Sequence, residues 1–252
     1  MKITLTEKVA LITGASGNGL GRADALALGQ AGAKIALIDI ADLTETLAIL
    51  SKAGITAKGY KCDISDMANV SSVVAQIETD LGNVDILINN ASLLATVGLF
   101  ADIPLEKWSR DVQVNLIGSA NVTRAVWPSM LKKNFGRVIF MSSIAGTMGG
   151  AGQTSYAATK AAVIGLAKSL AIEGARNGIT VNAIAPGVME TEAVSQFIRD
   201  DMRERMKKKP ALRRFGKPEE IAATVTFLAS EQAAYITGQV VTVDGGSGLF
   251  TF

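Results

Sequence analysis

Histidine is absent from this chain, and cysteine occurs once, as Cys62. The first absence removes the commonest general acid/base, so any proton transfer must use another side chain. It also leaves no cluster of histidine, cysteine and carboxylate at metal-ligand spacing, and no metal site is expected. The lone cysteine excludes an intramolecular disulfide and fits a reducing compartment. Proline is scarce, at five residues, and no Pro/Ser-rich linker divides the 252 residues, so one domain over 1–252 is expected. No apolar run approaches the ~18–20 residues of a membrane-spanning helix. The start, Met1 to Glu7, lacks the apolar region of a secretory signal, and a cytoplasmic location is the expectation. Charge is nearly balanced at +2, with basic residues scattered apart from Lys207-Lys208-Lys209 and Arg213-Arg214. A nucleic-acid-binding face needs a denser basic surface, so no nucleic-acid or membrane partner is expected.

What is present is alternation. Short runs rich in valine and isoleucine at 8–13, 34–39, 56–61, 84–89, 137–142, 180–185 and 240–243 read as strands. Between them, 3.6-residue periodicity marks helices near 20–31, 43–53, 66–80, 105–132, 155–177 and 218–230. Several of these end at a glycine, namely Gly32, Gly54 and Gly82. Strand-helix alternation predicts an α/β fold of Rossmann type: a doubly wound, seven-stranded parallel sheet with helices on both faces. The charged stretch 188–216 breaks the alternation and reads as an excursion without a strand.

The first strand runs into Thr13-Gly14-Ala15-Ser16-Gly17-Asn18-Gly19-Leu20-Gly21-Arg22, and a helix begins there. Glycines at such a turn let the backbone approach a pyrophosphate, and the helix N-terminus supplies N–H groups and a favourable dipole end. Gly14, Ser16, Asn18, Gly19 and Leu20 are the candidate cradle. The second strand ends in Asp39, followed by Ile40. A carboxylate there hydrogen-bonds the adenosine ribose and repels a 2′-phosphate, which favours NAD(H) over NADP(H); the alternative is that Asp39 starts the next turn. After the third strand, Cys62-Asp63-Ile64 faces the adenine position, with Asp63 either its acceptor or a turn or N-cap acid. After the fourth come Asn89-Asn90-Ala91, small and amide residues that leave room for a cofactor, with Asn89 read chiefly as a strand tie.

The chemistry concentrates between Ser142 and Lys168. Tyr156 and Lys160 are four residues apart and share a helix face. An ammonium beside a phenol stabilises the phenolate, so the expectation is a lowered tyrosine pKa and a proton donor or acceptor near neutral pH. Of the three tyrosines, only Tyr156 has a lysine at helical spacing.

These pieces, in this order, resemble the short-chain dehydrogenase/reductase family over nearly the whole chain. The resemblance rests on the glycine turn, Asp63, Asn89-Asn90-Ala91, Asn115 in Val114-Asn115-Leu116, Ser143 thirteen residues before Tyr156, Tyr156-Ala157-Ala158-Thr159-Lys160, Pro186-Gly187 and Asp244-Gly245-Gly246. It implies hydride transfer between a nicotinamide and a secondary alcohol or ketone, with Tyr156 as general acid/base. Ser143 would hold the carbonyl oxygen, its neighbour Ser142 being the rival. Lys160 would also bind the nicotinamide ribose, and Asn115 would anchor a water linking Lys160 to solvent; its alternative role is an amide satisfying a helix kink. Ile184, Pro186, Gly187 and Thr191, with Val188 among them, resemble the segment that holds the nicotinamide carboxamide. A homotetramer paired along the helices near 105–132 and 155–177 is implied as well.

Two departures stand out. Four residues, not three, separate Gly14 from Gly19, and Ser92 replaces the usual glycine after Asn-Asn-Ala. The stretch Ser143–Lys160 is similar to the 3-oxoacyl-acyl-carrier-protein reductase branch, which usually prefers NADPH and docks its acidic carrier on arginines. Asn134 and Asn177 stand where two such arginines are expected, though Lys132, Lys133, Arg137 and Arg176 are near. An NAD-dependent alcohol or hydroxyacyl dehydrogenase is therefore the leading expectation, the reductase acting on an acyl carrier or acyl-CoA the alternative, and a dinucleotide-sensing regulator the non-enzymatic rival. The excursion 188–216 would form a substrate lid, with Met189, Val194, Phe197, Met202 and Met206 as an apolar wall. For Met202 and Met206, ordinary helix packing is the simpler reading. Lys207–Lys209 reads as a solvated face, with steering of an anionic substrate the lesser alternative.

Overall fold

The computed structural model describes residues 3–94, 97–192, 194 and 199–249. Seven strands, β1 (Val9–Thr13), β2 (Lys34–Asp39), β3 (Ala57–Lys61), β4 (Ile86–Asn89), β5 (Gly136–Met141), β6 (Ile179–Pro186) and β7 (Val240–Val243), form one parallel sheet in the order β3-β2-β1-β4-β5-β6-β7. Each strand lies within two residues of its expected bounds. The expected doubly wound parallel sheet is present.

The apolar runs are explained by two buried faces. Ala10, Ile12, Ile35 and Leu37 pack on one side with the helices α1 (Leu20–Gln30), α2 (Thr44–Lys52) and Pro218–Leu228. The alternate residues Val9, Leu11, Ala36 and Ile38 pack on the other with α3 (Met67–Leu81), α5 (Ser119–Lys133) and α7 (Thr154–Gly174). Strands covered on both sides lose the polar alternation of a half-wet sheet. The two edge strands, β3 and β7, keep exposed residues. Just before β4, Asp85 is tied to both neighbouring strands: its carboxylate accepts the Val9 N–H at 3.0 Å, its N–H donates to Val9 O at 2.9 Å, and its carbonyl accepts the Arg137 N–H at 2.9 Å.

The helix expected over 105–132 is interrupted. It divides into α4 (Leu105–Val112), a π-helical turn (Gln113–Gly118) and α5. The wide turn carries Asn115 inward, and Gly118 lets it sit on Ile64, whose Cγ1 would lie 2.7 Å from an added Cβ. Two shorter helices complete the set described below, α6 (Ile144–Met148) and α8 (Asp200–Lys207), and Pro218–Leu228 is α9. The excursion 188–216 is closed at its base by a parallel bridge between Met189 and Gly216. Among the described residues, no helix is long and apolar enough to cross a membrane, and none of the histidine, cysteine or carboxylate groups assembles a metal cluster.

One buried group is out of keeping with this core. Asp24 in α1 is fully buried, and neither carboxylate oxygen has a hydrogen-bond partner. Burial holds its pKa well above the ordinary carboxylate range. A raised folded-state pKa means the native protein binds the proton more tightly, so stability falls as pH rises from about 4 towards that pKa. Asp24→Leu should therefore stabilise the fold at pH 7 by roughly 1–3 kcal/mol, a few degrees in Tm. The gain should shrink as pH is lowered towards 4. Thermal denaturation across pH 4–8 checks both; a variant less stable than wild type at pH 7 refutes the account.

Candidate active site

In this strand order the connections reverse direction between β1 and β4, and open α/β sheets bind ligands beyond the strand ends at that point. The junction is built by a few hydrogen bonds. Thr13 Oγ1 accepts the backbone N–H groups of Asn90 and Ala91 at 3.0 and 2.8 Å. The Asn90 side-chain amide donates to the carbonyls of Thr13 and Gly14 at 2.9 and 2.7 Å. Glycine is required here by contact. A Cβ on Gly14 would fall 2.6 Å from Ala91 Cα, and one on Gly21 would fall 2.4 Å from the Gly14 carbonyl oxygen. Gly17 and Gly19 differ, because a Cβ on either would meet open space. The two packed glycines seat α1 against the sheet, and the two open ones leave bare backbone at its N-terminus. Gly19 caps α1 without any side-chain hydrogen bond, and its first turn holds no acid. Uncapped N–H groups, bare backbone and a helix dipole fit a pyrophosphate.

From this turn a groove runs both ways. On one side it is lined by Gly14, Ser16, Asp39, Ile40, Cys62, Asp63, Ile64, Asn90 and Ala91, all expected from the sequence, and also by Ile38, Ser92, Leu93, Arg110 and Val114. Asn18 and Gly19 do not line it. Asp39 does two jobs: Oδ2 accepts the Ser16 N–H at 2.9 Å, and Oδ1 accepts the Ala41 N–H at 3.0 Å to start a turn. Its outer lone pairs remain for ribose hydroxyls. Arg22, the first cation after the glycine turn, is turned away: it is buried on Thr46, Glu45 and the Ser16 carbonyl. Asp63 is not the helix cap, which is Asp66. Its Oδ1 accepts from Ser65 N and Oγ at 2.9 and 2.6 Å, and Arg110 lies 3.6 Å from Oδ2. The Ser65 hydroxyl first, with Arg110 adding to it, keeps the Asp63 carboxyl below its ordinary range. Burial pushes the Cys62 thiol up to about 11, which makes it unreactive at neutral pH. Nothing in the local sequence of α4 marks Arg110 as a neighbour of Asp63; the fold brings it across.

On the other side the groove deepens into a cavity of about 630 Å³ whose walls include Leu20, Asn90, Ser92, Ser143, Tyr156, Lys160, Pro186, Gly187, Val188 and Thr191. The two serines after β5 separate cleanly. Ser142 is buried and donates through Oγ to the Lys160 carbonyl at 2.7 Å. Ser143 caps α6, accepting the Ala145 N–H at 3.1 Å, and its hydroxyl is near enough to the Tyr156 phenol to counter part of the effect of burial on it. Lys160 is buried, donates to the Met141 carbonyl at 2.7 Å, and lies 5.5 Å from the Tyr156 ring centroid. Burial without a carboxylate pushes its pKa down to about 8.

The expected lowering of the tyrosine pKa is not found. Burial raises it, and the Ser143 hydroxyl opposes that only in part. The ammonium is spent on a main-chain carbonyl, so the desolvation of the phenol prevails. The group is accordingly protonated at neutral pH and suits proton donation first. Asn115 acts through both ends of its amide: Oδ1 accepts the Leu93 N–H at 2.7 Å, and Nδ2 donates to Leu93 O and Thr159 Oγ1 at 2.8 and 3.1 Å. Any water held by Asn115 must use its backbone carbonyl, which already accepts from Ser119 Oγ. Asn89 ties β4 to α5 through Thr123 at 2.9 Å.

Of the apolar lid wall, Met189, Val194 and Met206 line the cavity. Met202 faces solvent, at 52% exposure. Helix packing therefore describes neither Met202 nor Met206, because α8 rests on the cleft and not on the core. Phe197 lies outside the described residues.

Known proteins share this architecture. A family model described as enoyl-(acyl carrier protein) reductase matches residues 14–248. The chain is 41% identical over 239 residues to the 3-oxoacyl-[acyl-carrier-protein] reductase of Escherichia coli (strain K12), covering 95% of this chain and 96% of that protein. It is also 41% identical over 239 residues to the acetoacetyl-CoA reductase of Rhizobium meliloti (strain 1021), covering 95% and 98%. The crystal structure of levodione reductase superposes with a TM-score of 0.92 at 33% identity, covering 97% of this chain and 99% of that one.

The division between packed and open glycines can be tested without any ligand. Gly21→Ala should cost roughly 1–3 kcal/mol through overpacking against Gly14 and Asn90. Gly19→Ala should change stability by less than about 1 kcal/mol. Equal losses in urea denaturation would contradict the contact argument.

Proposed function

Because the chain belongs to the short-chain dehydrogenase/reductase family, whose members are oxidoreductases that bind a nicotinamide dinucleotide, we propose that it interconverts a secondary alcohol and a ketone with NAD(H), using Tyr156 to carry the proton. The observation that carries this reading is the pairing of Ser143 with Tyr156 over buried Lys160, in the same groove as the glycine turn. The groove suits the cofactor, with Ser16, Gly17, Gly19 and Leu20 about the pyrophosphate, Asp39 at the adenosine ribose, Asp63 near adenine, and Pro186, Gly187, Val188 and Thr191 about the nicotinamide. When bound, the reduced nicotinamide supplies hydride to the carbonyl carbon. The Ser143 hydroxyl donates a hydrogen bond to the carbonyl oxygen, whose negative charge grows as the C–H bond forms. Tyr156 gives its phenolic proton to that oxygen, leaving alcohol and phenolate. Lys160, largely protonated below pH 8, stabilises that phenolate from beneath. Asn115 acts on the same helix by fastening Thr159, beside Lys160, to Leu93. Oxidation runs these steps in reverse.

A second reading, a 3-oxoacyl-acyl-carrier-protein or acyl-CoA reductase, is supported by the names of the relatives. The surface disfavours an acidic carrier. Asn177 Nδ2 donates to Asn134 Oδ1 at 2.9 Å, Arg137 is buried, and Lys133 is paired with Asp85. Exposed Ile117 and Ile172, at 39% and 80%, lie on the helical segments through which a homotetramer would pair.

Tyr156→Phe should lower kcat/KM by roughly 10²–10⁴-fold while NADH binding, followed by fluorescence titration, persists. Since the raised phenol pKa keeps the acid form, wild-type reduction should hold steady over pH 6–8, and oxidation, which needs the phenolate, should rise with pH. Retained turnover in the variant would overturn the acid/base assignment, and a wild type that binds NADH but turns over no ketone or alcohol would revive a sensing role. Asp39 should make NADH the better substrate. Asp39→Ala should erode the NADH/NADPH preference on the order of tenfold in kcat/KM, the scale of one short-range charge repulsion. A wild type that prefers NADPH would refute the NAD reading and favour the reductase alternative.

A further inference from the structure

The reaction-end cavity is lopsided in charge. Among the described residues that line it there is no aspartate or glutamate. Two lysines line it. Lys160 is buried and committed to the Met141 carbonyl, whereas Lys209 is exposed and has no carboxylate partner among the described residues. Arg203, Lys207 and Arg214 of the excursion are paired with Asp200 at 3.8 Å, Glu204 at 2.7 Å and Glu220 at 2.7 Å. Neither they nor Arg205, Lys208 and Arg213, which lack an ion pair among the described residues, line the cavity. A charge run is ordinarily a solvated face, but here one member of it is singled out by position.

That position is held from both sides. The Lys209 N–H donates to Met206 O at 3.1 Å, just beyond the end of α8. Pro210 follows, lines the same cavity, and packs on Gly245, where an added Cβ would lie 3.3 Å from Pro210 Cβ. Two residues on, the Leu212 N–H donates to Gly245 O at 3.0 Å. Lys209 therefore stands where the excursion is fastened to the loop after β7. The remaining wall is largely apolar, with Leu94, Met148, Met189, Val194 and Met206. An ammonium beside such a wall attracts an anion more strongly than one in open water, and with no acid on the lining an entering anion meets no like charge.

We infer that the substrate carries an anionic group, carboxylate or phosphate, separated from its carbonyl by an apolar portion, and that Lys209 is the residue that selects it. This rests on the oxidoreductase reading above. The test uses ketones in matched pairs, assayed with NADH and NADPH: acetoacetate with acetoacetamide, levulinate with levulinamide, and dihydroxyacetone phosphate with dihydroxyacetone. Wild type should favour the anionic member of at least one pair by tenfold or more in kcat/KM, chiefly through KM, and added salt should shrink the preference. The first two pairs report a carboxylate and the third a phosphate. Lys209→Met should collapse the preference towards unity, Lys209→Glu should invert it, and Lys209→Arg should retain it. Equal use of both members by wild type, or an undiminished preference in Lys209→Met, overturns the inference and leaves the oxidoreductase reading standing. If no ketone or alcohol is turned over with either cofactor, that reading fails and the inference falls with it.

Discussion

The site depends on a clasp between α7 and the end of β5. Lys160 Nζ donates to the Met141 carbonyl, and Ser142 Oγ donates back to the Lys160 carbonyl, both at 2.7 Å. Backbone and side chain of one lysine are thus tied to consecutive residues of the strand end. Gly146 adds a steric condition: its missing Cβ would lie 2.6 Å from the Lys160 carbonyl carbon. Because α6 can press directly on the α7 backbone, Ser143 and Tyr156 meet. Desolvating an ammonium with a single carbonyl for company is costly, as its depressed pKa records. Under the proposed mechanism that cost has a use, because the same ammonium lies 5.5 Å from the Tyr156 ring, whose phenol would bear a transient negative charge.

The second organising point is the junction of β1 and β4. A sheet whose order reverses there opens a crevice, and Thr13, Asn90 and Ala91 close its floor with four hydrogen bonds. Those bonds leave the backbone of Gly17 and Gly19 uncovered. The groove thus continues from the side of Asp39 and Asp63 to the side of Tyr156 and Lys160 past Asn90 and Ser92, which line both.

Much of this was legible in the chain because it is local. Unbroken apolar runs in the strands, 3.6-residue spacing in the helices and glycine at the turns each follow from a few neighbouring residues. Tyr156 and Lys160 were visible through a four-residue helical spacing, and the resemblance to a known family singled out Ser143 over Ser142. What escaped depends on contacts across the fold. The alternative reading of Asn115, an amide satisfying a helix kink, describes the π-turn, but its partners, Leu93 twenty-two residues earlier and Thr159, were not legible. The tyrosine pKa went the other way because spacing reports proximity, whereas burial and the prior engagement of Lys160 set the balance. Arg110 beside Asp63 and Lys209 beside the cavity are products of tertiary assembly, and no motif announces either.

The groove has an electrostatic direction that follows from these placements. One end carries Asp39 and Asp63, the latter kept ionised by Ser65 and Arg110. The other carries two lysines and, among the described residues, no acid. Carboxylates suit an end that presents neutral ribose hydroxyls and an adenine amino group, and they resist an added phosphate. Cations suit an end where a carbonyl oxygen acquires charge and a phenolate is left behind. The glycine turn, whose Gly17 and Gly19 no side chain covers, lies between these opposite fields.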